Sequence, residues 1–159
     1  MRSEFICANH RQWLRERPKE ARHWWAKSFD SGKYFQEVQQ WQESVCPLGC
    51  AFDAATIFIE QSQIVEAEDI DLFSRTAQCL VYSLLKIGQL KFAQQIVFGV
   101  QSMTRNMEGQ VFNRQKMLDM QRKLHLFLAA HPAVRVEPNR CPAEKAKNSL
   151  FSREVVSIH

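Results

Sequence analysis

Apolar side chains recur at intervals of three and four along most of this chain, and no stretch alternates apolar with polar positions between Asn-Gly or Asp-Gly turns. That period is helical. Asn9 is placed to cap a short helix carrying Trp13 and Leu14. Pro18 suits the first turn of a second helix, where a missing N–H costs nothing; Ala21, Trp24, Trp25 and Phe29 share one side of it, and Asp30-Ser31-Gly32 reads as the turn that ends it. From Lys33 to about Val45, Tyr34, Val38, Trp41 and Val45 form one stripe on a helix otherwise made of Gln and Glu, with Pro47 and Gly49 as its stop. Residues 50–61 are apolar nearly all round, through Phe52, Ala55, Ile57, Phe58 and Ile59, which predicts a central helix.

The acidic run Glu66 to Asp71 favours the start of the next helix, whose dipole and free N–H groups attract carboxylates. Its buried set is Ile70, Phe73, Ala77, Leu80, Val81, Leu84 and Leu85, and it runs to Ile87. Gly88 then separates it from Gln89–Met103, where Leu90, Ala93, Ile96, Val97, Val100 and Met103 repeat at helical spacing, so the two form a hairpin. Asn106 to Gln110 reads as a turn. A last helix of about twenty residues from Val111 carries Met117, Met120, Leu124, Phe127 and Leu128 on one side, and Pro132 closes the folded part. The fold class is therefore all-α: a helical bundle, or a short array of antiparallel helical hairpins, with about six helices. A single domain is expected over residues 1–132. The remainder, 133–159, mixes prolines and charges without a sustained period and is expected to be a flexible tail, the alternative being a segment docked through Leu150, Phe151, Val155, Val156 and Ile158.

Within LVYSLLKIGQLKFAQQIVFGVQSM, Gly88 precedes the large Leu90 by two and the small Ala93 by five, while Leu80 and Leu84 hold packing positions of the preceding helix. In this the segment resembles the helical hairpin of tetratricopeptide repeats. Tyr34, two after Gly32, is a fainter echo; Val81 and Glu37 stand where that family has small residues, and the two glycines are not one repeat of 34 apart. The resemblance implies a small helical-repeat chaperone or adaptor with a concave face for a partner peptide.

Charge is segregated. Residues 1–35 carry a net +4, residues 36–85 a net −7 and residues 86–159 a net +7, within an overall +4. An acidic middle between basic ends is either an internal pairing arrangement or a surface divided into two faces. The basic groups Arg11, Arg15, Arg17, Lys19 and Arg22, with Arg114, Lys116, Arg122 and Lys123, are the candidates for phosphate contact, and Trp13, Trp24 and Trp25 among the first set could stack on bases. A nucleic-acid-associated regulator is the alternative function this supports.

Chemistry for catalysis is missing from the motifs. There is no Gly-rich phosphate loop, no G-x-S-x-G elbow and no H-E-x-x-H helix. Asp69 and Asp71 point apart on a helix and read as first-turn charge; His125 and His131 straddle a helix end. Five cysteines, Cys7, Cys46, Cys50, Cys79 and Cys141, lack the paired spacing of a disulfide scaffold or of a four-ligand zinc site. They read as reduced thiols, with Cys79 simply buried. No run reaches the length of a membrane span, and the N-terminus lacks the apolar stretch of a signal peptide, so a cytoplasmic protein with no cofactor, no metal and no catalytic residue is expected. The function these readings favour is a helical adaptor, chaperone-like or regulatory protein, that binds a partner protein and is compatible with a homo-oligomer. Tyr34, Phe35 and Trp41, with Phe92 and Phe98 off the main stripe of their helix, are the candidate contact residues.

Overall fold

A computed structural model describes residues 5–61, 65–106 and 111–130 of the chain, with side chains from residue 114 in the last stretch. Among these residues it is all-α, with six helices: α1 (Ala8–Arg15), α2 (Pro18–Glu37), α3 (Trp41–Gln61), α4 (Ala67–Lys86), α5 (Leu90–Arg105) and α6 (Val111–Ala130). Among the described residues there is no strand. The expected tail at 133–159, with His131 and Cys141, lies outside the described residues.

From α2 onward each helix packs on the next, α4 also touches α6, and α1 lies across α2 and α3. One apolar cluster runs through all of them, from Ile6 and Leu14 to Leu124 and Leu128. The expectation of a central helix holds: Phe52, Ala55, Ile57, Phe58 and Ile59 are all buried. So does the buried face of α4, from Ile70 to Leu85.

The first half is divided differently from the expected pattern. Gly32 does not end α2; it lies inside the helix and is buried, and a Cβ there would come within 2.4 Å of Leu48 Cγ. This glycine lets α2 and α3 approach closely. Pro47 and Gly49 likewise lie inside α3, and Gly49 is covered by the Phe5 ring. A proline in a helix interior costs about 3 kcal/mol in isolation, which the burial of Leu48, Ala51 and Phe52 on the same helix offsets. The reversal falls instead at Val38–Gln40. There the Gln40 N–H donates to the Phe35 carbonyl (2.8 Å) and the Gln39 N–H to that of Gln36 (3.0 Å), with Gln39 at φ 59°. The α4–α5 turn repeats the arrangement: Gln89 N–H to Leu84 carbonyl (2.8 Å), Gly88 N–H to Leu85 carbonyl (3.1 Å), and Gly88 at φ 74°. Both are the paired 6→1 and 5→2 closure of a helix C-terminus. Because the turn sits elsewhere, the stripe expected from Tyr34 through Val38 and Trp41 to Val45 spans two helices, and Tyr34 and Val38 are exposed. Asn9 is also not a cap; Cys7 occupies that position without a side-chain hydrogen bond.

Candidate functional site

Four helices meet around a cleft of about 380 Å³. The end of α2 contributes Lys33, Gln36 and Glu37, one helical turn apart and so on one face. Trp41 opens α3, Gln78, Cys79 and Tyr82 come from α4, and Lys123, Leu124 and Phe127 from α6. The aromatic wall is continuous. Trp41 meets Tyr82 edge to face, centroids 5.3 Å apart at 76°, and Tyr82 meets Phe127 at 5.6 Å. The Lys86 ammonium lies 5.5 Å from the Trp41 ring centre and 5.2 Å from that of Tyr82, a cation–π position.

A buried polar network supports this wall from behind. The Gln36 amide donates to the Cys79 carbonyl and to the Ser83 hydroxyl, both at 2.8 Å. Ser44 donates to the Trp41 carbonyl at 2.7 Å and lies 2.7 Å from the Ser83 hydroxyl, which leaves Ser83 the donor between the two. Gln36, Ser44 and Ser83 thus tie the start of α3 to α4 and α2 and position Trp41. Cys79, expected to be simply buried, is half-buried at the cleft. Burial pushes its thiol up, against the pull of Lys33 and Arg75. It stays protonated at neutral pH and presents no thiolate nucleophile. Phe127 also departs from the pattern: it does not join the buried side of α6 but stands 45% exposed at the cleft mouth.

The expected contact residues are scattered. Of Tyr34, Phe35, Trp41, Phe92 and Phe98, Trp41 alone lines the cleft. Tyr34 and Phe35 pair with each other, Phe92 sits half-buried against Phe5, and Phe98 is exposed on α5. Tyr82, Lys33 and Lys86 are not marked by the sequence pattern, and Phe127 is marked there only as a packing residue. The signal available was the spacing of Tyr82 and Lys86, four apart on α4.

The basic candidates for phosphate contact are mostly engaged within the chain. Arg11 pairs with Asp53 (3.0 Å), Arg15 with Glu60 (3.1 Å), Arg22 with Asp69, Lys116 with Asp71 (3.3 Å) and Arg122 with Asp119 (3.5 Å). Four of these five reach from the basic ends into the acidic middle, so the segregated charge serves internal pairing. Arg114 is exposed, and Lys123 belongs to the cleft. Asp53 is deeply buried: its Oδ2 also accepts the N–H groups of Phe5 (2.7 Å) and Ile6 (2.8 Å). Burial pushes its carboxyl up, outweighing the opposite pull of those donors and Arg11.

Among the described residues, no cluster of three or more His, Cys, Asp or Glu is arranged to hold a metal ion, and no helix is long and apolar enough to cross a membrane. No family model, no curated protein and no solved structure matches the chain.

Proposed function

We propose that this chain is a small cytoplasmic helical adaptor that binds a partner protein, and that the cleft between α2, α3, α4 and α6 receives an apolar anchor of that partner. The observation that carries the reading is the Trp41–Tyr82–Phe127 wall, an open aromatic surface backed by a satisfied polar network. Large aromatic side chains held rigid at an open surface are the groups on which binding energy concentrates. The tetratricopeptide-like reading belongs to the same proposal. Supporting it are the turn at Gly88, the buried Ala93 behind it, and the stacking of consecutive helices, features expected of a hairpin array with a receptive face. Free thiols at Cys7, Cys46, Cys50 and Cys79 suit a reducing compartment.

The test compares capture by the full chain with capture by its Tyr82→Ala and Phe127→Asp variants, after far-UV circular dichroism has shown each variant folded. Proteins retained by the parent and lost by both variants support the cleft. Undiminished retention by both places the contact elsewhere.

A further inference from the structure

The cleft is rimmed mostly by positive charge. Lys33, Lys86 and Lys123 come from three different helices, and none forms an ion pair among the described residues. This contrasts with Arg11, Arg15, Arg22 and Lys116, each closed on an acid of the chain. Among the described residues, the single acid lining the cleft is Glu37. Lys33 and Lys123 line the cleft directly, and the Lys86 ammonium lies over Trp41 and Tyr82.

We infer that the partner segment taken by the cleft is acidic: a short peptide that sets a bulky apolar side chain against Trp41, Tyr82 and Phe127 and carboxylates opposite Lys33, Lys86 and Lys123. This rests on the adaptor reading above and adds the chemistry of the partner. The aromatic wall supplies affinity by burying an anchor, and the lysines discriminate, since like charges are repelled and opposite charges steered in. Two occupants from within the chain fit poorly. Residues 131–159 carry five Lys and Arg against three Asp and Glu, so a lysine rim repels them. The chain's own acidic apolar stretch, Val65 to Phe73, lies largely within α4, with Asp69 closed on Arg22 and Asp71 on Lys116. It is not free to enter the cleft of a second copy.

The experiment is fluorescence anisotropy with the full chain and labelled peptides of about twelve residues, a length that spans such a groove. One peptide has a central Leu-Trp flanked by Glu and Asp; a second replaces the acids with Gln and Asn; a third replaces them with Lys; a fourth keeps the acids and replaces Leu-Trp with Ala-Ala. The acidic anchored peptide is expected to bind about tenfold tighter than the neutral one and to weaken as salt screens the rim. In Lys33→Glu/Lys123→Glu, both substitutions on accessible side chains, the preference inverts toward the Lys-flanked peptide. Equal binding of neutral and acidic anchored peptides overturns the charge inference and leaves the aromatic cleft standing. If no peptide loses affinity on Tyr82→Ala, the cleft reading falls with it. A tighter fit of a peptide of residues 131–159, or self-association abolished by Tyr82→Ala, also overturns the inference, because the site then belongs to the chain itself.

Discussion

Asp53 and Trp41 stand twelve residues apart on α3, about 18 Å along the helix axis, and their surroundings treat charge in opposite ways. Around Asp53 every strong group is turned inward. One carboxylate oxygen accepts two backbone N–H groups and the Arg11 guanidinium, and both side chains of the pair are almost wholly buried. Around Trp41 the uncharged polar groups are satisfied among themselves, while Lys33, Lys86 and Lys123 form no ion pair among the described residues. The first arrangement fastens the N-terminal residues to the centre of the bundle. The second is where the proposed partner would meet charge and aromatic surface. Charged side chains thus do structural work where the chain supplies their counter-charges, as at Arg11–Asp53, and are proposed for recognition where no such pair is seen among the described residues.

The sharpest way to break the comparison is at Asp53. Asp53→Ala leaves Arg11 buried without its acid and two backbone donors without an acceptor, and removing one partner of a buried pair typically costs about 3–5 kcal/mol. Arg11 Nε already lacks a hydrogen-bond partner among the described residues, so little compensation is available nearby. Urea unfolding of the variant should show a loss in that range. A loss below about 1 kcal/mol, the scale of an exposed ion pair, would mean that the arm and Arg11 simply relax into water, and the distinction between the two regions would disappear.

Glycine provides the next test, because the same residue type serves different ends in this fold. Gly32→Ala forces a methyl group into Leu48, and overpacking of this kind costs about 1–3 kcal/mol. Gly99 lies on α5 with nothing within 4 Å of an added Cβ. Gly99→Ala should therefore stabilise by about 0.5–1 kcal/mol through helix propensity and backbone entropy. Opposite shifts in melting temperature are expected; shifts of the same sign would show that α2 and α3 can separate without loss.

These glycines also explain where sequence reading succeeds and where it stops. From α4 to α6 the apolar period and the Gly88 turn agree, and most of the expected buried side chains are buried. Between α2 and α3 the punctuation misleads. Gly32, Pro47 and Gly49 look like turns, yet Gly32 and Gly49 are smooth spots for Leu48 and Phe5, whereas the real turn uses Gln39 in a left-handed conformation that no residue type announces. The alternating charge of the three chain regions was legible, but its use in pairs such as Arg15–Glu60 and Lys116–Asp71 needs the fold. The cleft was hidden for a related reason. Its wall takes one aromatic from each of α3, α4 and α6, and periodicity along any single helix placed Phe127 on the buried side.

At the cleft, truncation should separate binding from stability. Phe127 is 45% exposed, so Phe127→Ala is expected to cost about 1 kcal/mol or less in unfolding free energy. The same variant should abolish capture of the anchored peptide. If Phe127→Ala instead unfolds the chain at a cost comparable to Asp53→Ala, the aromatic wall is part of the core and the two regions differ less than their charges suggest.

The smallest effect concerns the two thiols one helical turn apart on α3. Cys46 is exposed; Cys50 is half-buried, with its thiol 3.9 Å from the Phe5 carbonyl, and is pushed up to about 12, first by burial and then by the neighbouring Cys46 and Asp53. A raised folded-state value means that the protonated thiol is favoured by folding. Its contribution is present below the ordinary thiol range and is lost as pH rises from about 9 toward 12. Stability measured across that interval should fall slightly more in the parent than in Cys50→Ala. At pH 8 iodoacetamide should modify Cys46 well before Cys50, since the thiolate is the nucleophile. Equal alkylation rates would show that the Cys50 site opens readily, and with it the Phe5 arm that Asp53 holds in place.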